Sequence, residues 1–357
     1  MIQGVKQSEI RYLDFWTWFE THQNDFFDAI KERGDVEAKF FNRIAPKLQH
    51  INQNFFVLAG MSGENTAEMI VTVDGNIKDI VYAEELIKAA PTLEHWKFTA
   101  LKPETDIEKI YIEMGDHVFH KDNIYFYSND DEDYPDEIDL VFVHEDLNSQ
   151  NESELISGTY LFIDNYLGEL NFATQIDNFS IKGKNEAEKD LIPIEKLKDF
   201  LGWREREFTE KYEGAKMTTT EDSYSLLEGT LENGFPLLAT VNVDLFQWNE
   251  KASHPWISVL RIEFVGDEEN GFPDDKDYDM FNIIEDEMML ELKTTEGNLN
   301  LGRETAENLR EIYFVSKDFR KISKVLAETV QKYPEYKMNF EIYKDKYWQS
   351  FERYGIH

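Results

Sequence analysis

No cysteine occurs in the chain, which removes disulfides, thiolate metal sites and cysteine nucleophiles together. No uncharged apolar run approaches the length that spans a membrane, and the opening MIQGVKQSEIRYLDFW has no apolar segment of the secretory kind. A cytoplasmic setting is the expectation, and Asn151-Glu152-Ser153 then matches the glycosylation pattern by chance. Basic side chains are scarce: 37 Lys and Arg stand against 72 Asp and Glu, a formal net charge of −35. That field repels phosphate backbones and anionic lipid, so direct nucleic-acid and membrane binding are disfavoured, and a basic protein is the partner class it attracts. Nucleotide-binding glycine patterns are missing as well. Gly183-Lys184 runs into Asn185 without an upstream glycine, and Gly60-Met61-Ser62-Gly63 meets Glu64 where a nucleophile elbow needs glycine. No cofactor is expected.

What the chain does have is aromatic side chains, 14% of its residues, enough apolar area to argue against disorder despite the charge. At 357 residues it exceeds what one core usually holds. Two α+β domains are therefore expected, 1–213 and 214–357, with the boundary at EGAKMTTT, where apolar periodicity lapses. Antiparallel sheets with helices packed on them are expected, the first domain opening with two helices ahead of a mixed sheet. The stretch from Trp256 to Leu292 organises the second domain. Trp256, Ser258, Leu260, Ile262 and Phe264 alternate with Ile257, Val259, Arg261, Glu263 and Val265, a strand apolar on both faces at its start. Phe281, Ile284, Met288 and Leu292 then recur at helical spacing.

In the first half, a helix is expected from about Asp14, with Phe15, Phe19, His22, Phe26 and Ile30 inward, then a second capped by Asp35 and bent at Pro46. Asp74-Gly75-Asn76 reads as a tight turn between two strands of a hairpin, and Ala83 to Ala90 as a short helix. Asp130 to Glu137 reads as a solvated acidic loop between paired strands. Beyond the boundary, Asn233-Gly234 joins a hairpin whose second strand runs from Leu237 to Leu245. From Trp256 the order is β, α, β, β, α, β, the ferredoxin-like split arrangement with an extra N-terminal hairpin in front.

Short motifs lie along this second half: Gly234-Phe235-Pro236-Leu237, Pro255-Trp256, Gly271-Phe272-Pro273, Ile284-Glu285-Asp286, Arg310-Glu311-Ile312-Tyr313-Phe314 and Lys344-Asp345-Lys346-Tyr347-Trp348. They resemble the bacterial family labelled domain of unknown function 695, over roughly residues 215 to 350, preceded by the N-terminal extension seen in some members. Lys346 departs from the resemblance, which would put proline after the aspartate. The family has no assigned activity. Some of its relatives look similar in fold to acidic protein regulators that inhibit ribonuclease E, which implies a regulatory role by analogy of fold alone.

Two candidate sites follow. Phe272, Asp274, Asp275, Asp277, Tyr278, Asp279 and Trp256 gather aromatics and carboxylates near the loop after the central strand, the composition of a hot spot for a basic partner. Asp275, Asp277 and Asp279 start a calcium-loop pattern, but Met280 replaces its glycine and Asp286 its bidentate glutamate, so no metal site is expected. Alternatively Glu285, Arg303 and Arg310, from neighbouring elements, form a pocket for a small anionic ligand or an enzyme's substrate. His117 and His120, His22, and His144 beside Glu145 lack ligand spacing and are expected to pack or solvate. A non-catalytic binding or inhibitory module is the leading expectation, with neutralisation of a basic toxin as one specialised form.

Overall fold

The computed structural model describes residues 7–148, 150–215, 217, 219 and 222–355. Its contacts divide the chain into two compact units. The first runs to Asn129 and resumes over Ile138–Trp203, and the second takes Asp130–Glu137 and the chain from Arg204.

The first unit opens with α1 (Gln7–Glu32), a π turn (Glu37–Phe41) and α2 (Asn42–Ile51). Asp35 Oδ1 accepts from Ala38 N as expected of a cap, and Pro46 lies inside α2 rather than at its start. There follow β1 (Phe56–Met61), β2 (Ala67–Thr72), α3 (Ile77–Lys88) and β3 (Trp96–Ala100), which form a three-stranded sheet in the order β1-β2-β3. Phe19 of α1 meets Trp96 and Phe98 edge-on at 4.9 and 5.2 Å, so α1 packs on β3. Burial of each such ring contributes about 2–3 kcal/mol.

The expected hairpin at Asp74-Gly75-Asn76 is corrected here. The turn exists, with Asp74 and Gly75 at φ 54° and 79°, but it leads into α3. Ile80, Ala83 and Leu86 at helical spacing are buried, and the helix carries the chain across so that β3 pairs parallel to β2.

The unit continues through β4 (Ile112–Met114), β5 (His117–Phe119), β6 (Ile124–Asn129), β7 (Asp139–His144), α4 (Glu152–Leu167), α5 (Glu169–Gln175), β8 (Asn178–Gly183) and β9 (Ile192–Pro193). A four-stranded sheet has the order β8-β7-β6-β9. Buried Glu169 accepts from Thr72 Oγ1 at 2.6 Å, Val73 N at 3.0 Å, Gly75 N at 2.9 Å and Lys102 N at 2.9 Å. One carboxylate thus ties the end of β2, the turn after it and the end of β3 to α5. The helix α6 (Leu197–Lys211) begins in this unit and ends in the second.

The second unit holds β10 (Tyr224–Thr230), β11 (Pro236–Asn242), the helical turn α7 (Val243–Phe246), β12 (Trp256–Glu263), α8 (Asp275–Glu291), β13 (Asn298–Ala306), β14 (Leu309–Ser316), α9 (Phe319–Lys332) and β15 (Lys337–Lys344). The strand expected to reach Leu245 stops at Asn242, whose side chain caps α7 by accepting from Leu245 N. Six strands pair antiparallel throughout in the order β10-β11-β13-β14-β12-β15. β12 is hydrogen-bonded on both sides and buried on both faces at its start. One face of the sheet packs Ala239, Val241, Ile257, Val259, Leu299 and Val315 against Leu245, Trp348 and Phe351.

On the opposite face lie, in register, Leu226, Thr240, Arg303, Ile312 and Leu260. The register of β13 shifts between Asn300 and Gly302. Gly302 has φ 137°, and a Cβ there would stand 2.2 Å from Thr240 O. The bulge turns Asn300 and Arg303, three apart and on opposite faces of a regular strand, to the same side. Gly302→Ala is therefore expected to lower unfolding free energy by about 2–4 kcal/mol in a urea titration, against under 1 kcal/mol if the bulge relaxes.

Candidate functional site

The loop before α8 is built from its own polar side chains. Asp267 Oδ1 accepts from Glu269 N at 2.9 Å and Asn270 Oδ1 from Phe272 N at 2.8 Å. Gly271, at φ 68°, lets the loop approach Glu307 and the Phe235 ring, where a Cβ would stand 3.0 and 3.2 Å away. Asp274 caps α8 by accepting from Asp277 N at 2.8 Å. Asp277 accepts from the Tyr336 hydroxyl at 2.7 Å, while Asp275 and Asp279 are exposed. Carboxylates in a first helical turn are favoured by the helix dipole, and this accounts for the acidic pattern without a metal.

Farther along α8, Glu285 is 5% exposed and fully engaged. Its Oε1 accepts from Asn300 Nδ2 at 2.9 Å and its Oε2 from Arg303 Nη1 at 3.0 Å. Arg310, 4% exposed on β14, faces the same helix. Its guanidinium carbon lies 5.6 Å from the Tyr278 ring centre and 5.9 Å from that of Phe281. Nη1 donates to Thr305 Oγ1 at 2.5 Å, and among the described residues no carboxylate pairs with the group. Burial first, then the nearby Arg303 charge, push its pKa down to about 10, against the raising influence of Glu285 and Tyr278. The three residues expected to form a pocket are brought together, but Glu285 serves Arg303 and leaves Arg310 without a salt bridge. Asn300 was missed by sequence reasoning, and a glycine inside a strand was the signal that could have found it.

The aromatic candidates part company. Trp256 is 5% exposed and packs edge-on to Phe319 at 4.9 Å, so it belongs to the core and is withdrawn from the surface site. Trp248 packs against His254 and Trp348. Phe272 is half-buried and Tyr278 exposed.

The histidines pack or sit near single carboxylates. His22 stacks on Phe26, and buried His144 accepts from Asp146 N at its Nδ1. His117 lies 3.7 Å from Glu154 and His120 3.5 Å from Asp122. Among the described residues no group of three or more His, Cys, Asp or Glu side chains is arranged to hold a metal. Among them, too, no helix is long and apolar enough to cross a membrane.

The acidic run 130–137 is more than a solvated loop. Asp136 accepts from Lys211 Nζ at 2.8 Å, from the Tyr212 hydroxyl at 2.7 Å and from the Tyr347 hydroxyl. Burial raises its pKa, but hydrogen bonds from Lys211, Tyr347 and Tyr212 outweigh this and hold the carboxyl below its usual range. Lys346, where the resemblance led to the expectation of proline, donates to Asp136 O at 2.6 Å and lies over the Phe208 ring. A proline could not make that bond.

The C-terminal unit is thus an α+β domain with one six-stranded antiparallel sheet and a carboxylate–guanidinium cluster under its first long helix. Residues 230–354, the C-terminal portion of the chain, match the model of a family described as "Family of unknown function (DUF695)", with an N-terminal region before them. The resemblance read from the motifs is borne out there. No curated protein and no solved structure matches the chain.

Replacing Glu285 by Gln leaves the Arg303 guanidinium without its carboxylate. It is expected to cost about 2–4 kcal/mol, part of which returns when Arg303→Met is added, as a double-mutant cycle by denaturant would measure. Buried His254 supplies a pH signature. Burial first, then Lys317, lower its pKa to about 3, so the folded state resists a proton that the unfolded chain takes below about 6.5. Stability is full above that value and falls by about 1.4 kcal/mol per unit as pH drops toward 3. His254→Gln should flatten this limb in acid titrations of unfolding; an unchanged slope would assign it to other groups.

Proposed function

We propose that this is a cytoplasmic, non-catalytic protein-binding module whose C-terminal unit takes up an extended basic segment of a partner along β10. The observation that carries the reading is the contrast between the two edges of the six-stranded sheet. β15 begins and ends in Lys337 and Lys344, charges that discourage strand addition. β10, YSLLEGT, has neither lysine nor proline and exposes Tyr224 and Leu226 at 48% and 63%. From 217 to 250 there is no Lys, Arg or His, while Glu221, Asp222, Glu228, Glu232, Asp244 and Glu250 are all acidic. Pairing β10 with its own copy would set carboxylates against one another, whereas a strand carrying Lys or Arg meets opposite charge.

The acidic loop extends the same surface. Gly271 lies against Phe235 at the β10–β11 turn, which supports reading Asp274, Asp275, Asp279 and Tyr278 as part of that surface. The strand plan supports reading this unit as ferredoxin-like: β15-β12-β14-β13 is the order of that fold, with β11 and β10 added beside β13. Capture of a segment that the partner needs for its own work would make the protein a regulator or inhibitor.

A peptide of alternating Lys and Val tests the mode of binding directly. Calorimetric titration should give saturable binding that weakens about tenfold or more from 50 to 300 mM salt, with hydrogen-exchange protection appearing in β10. Leu226→Lys should abolish it. Binding that ignores Leu226→Lys and leaves β10 unprotected would count against this edge.

A further inference from the structure

Arg310 is a buried charge with an unfinished set of hydrogen bonds. Its Nε and Nη2 have no acceptor among the described residues, although both are sealed from solvent. These two nitrogens carry the parallel N–H bonds along one edge of the guanidinium, the edge that grips both oxygens of a single oxyanion. The remaining nitrogen, Nη1, is occupied by Thr305. An arginine buried for structure alone is ordinarily matched by a carboxylate or by backbone carbonyls, since a buried donor left unpaired opposes folding.

The charged and titratable groups facing Arg310 are Arg303, Glu285 and Tyr278. Glu285 is committed to Arg303 and Asn300. Two guanidiniums and one carboxylate leave a local charge of +1, inside a chain whose net charge is −35. Of the two rings against the guanidinium, Phe281 is fully buried and Tyr278 is 46% exposed, so Tyr278 is the one of the two that also meets solvent.

We propose that Arg310 is the anchor of a binding site for the carboxylate of a small monoanion, held by Nε and Nη2, with Tyr278 as the lid over it. One negative charge neutralises the cluster, which favours a carboxylate over the more highly charged phosphate. The site stands apart from the β10 reading, because it uses neither the sheet edge nor the acidity of the surface, and each can fail without the other.

Propionate and inorganic phosphate are the probes, titrated at constant ionic strength into protein labelled for observation of arginine Nε–H resonances, with Arg310→Lys identifying the Arg310 signal by its loss. Propionate is expected to shift that signal saturably, with Kd on the order of millimolar, and Tyr278→Ala to tighten binding about three- to tenfold by removing the lid. In Arg310→Lys, which keeps the charge and loses the fork, propionate should no longer bind in calorimetry. Tighter binding of phosphate than of propionate would overturn the carboxylate assignment. No shift with either anion, in the wild type and in Tyr278→Ala alike, would overturn the site and leave the fork to trapped water.

Discussion

A carboxylate taken out of water must be given donors, and in a chain with about twice as many acids as bases this requirement shapes both units. Three buried or half-buried carboxylates act as assembly points. Glu169 gathers three backbone amides and a threonine hydroxyl from segments far apart in sequence. Asp136 gathers a lysine and two tyrosines. Glu285 joins an arginine and an asparagine that only a bulge brings to one side. In each case the acid is satisfied by donors fixed in the backbone or on well-packed elements.

The same scarcity of bases explains where the reactive features lie. Most lysines and arginines are spent on partners: Arg261 pairs with Glu311 and Glu341, Lys102 with Asp74 and Asp164, and Arg353 with Glu304. Arg310 departs from this pattern, and so does the stretch through β10, which has acids and no base. An acidic protein thus carries two contrasting features, an edge strand flanked by acids and a buried guanidinium under α8.

Much of the second unit was legible in the sequence because periodicity decided it. β12, α8, the β13–β14 hairpin, α9 and β15 all follow from apolar spacing. Asn233-Gly234 named its turn correctly, whereas the similar Asp74-Gly75-Asn76 did not, because a turn signal fixes a change of direction and leaves open what comes next. Trp256 was legible as apolar but not as interior, since an aromatic at a strand end packs or projects according to what α9 supplies, here Phe319. The partners of Asp136 lie up to 211 residues away in the chain, and no local pattern announces them.

The placement of Asp130–Glu137 has a bearing on how the molecule comes into being. The β6–β7 connection is made early in synthesis, yet the residues that hold Asp136 include Tyr347, near the end of the chain. The bond to Tyr347 spans 211 residues, more than half of the protein, so it can form only after that much chain has followed the loop. The second unit is therefore no single stretch of gene. A copy cut out at the limits of the family match would lack the loop, Lys211, Tyr212 and all of β10 but Thr230, and Lys346 and Tyr347 would lose their contacts with Asp136.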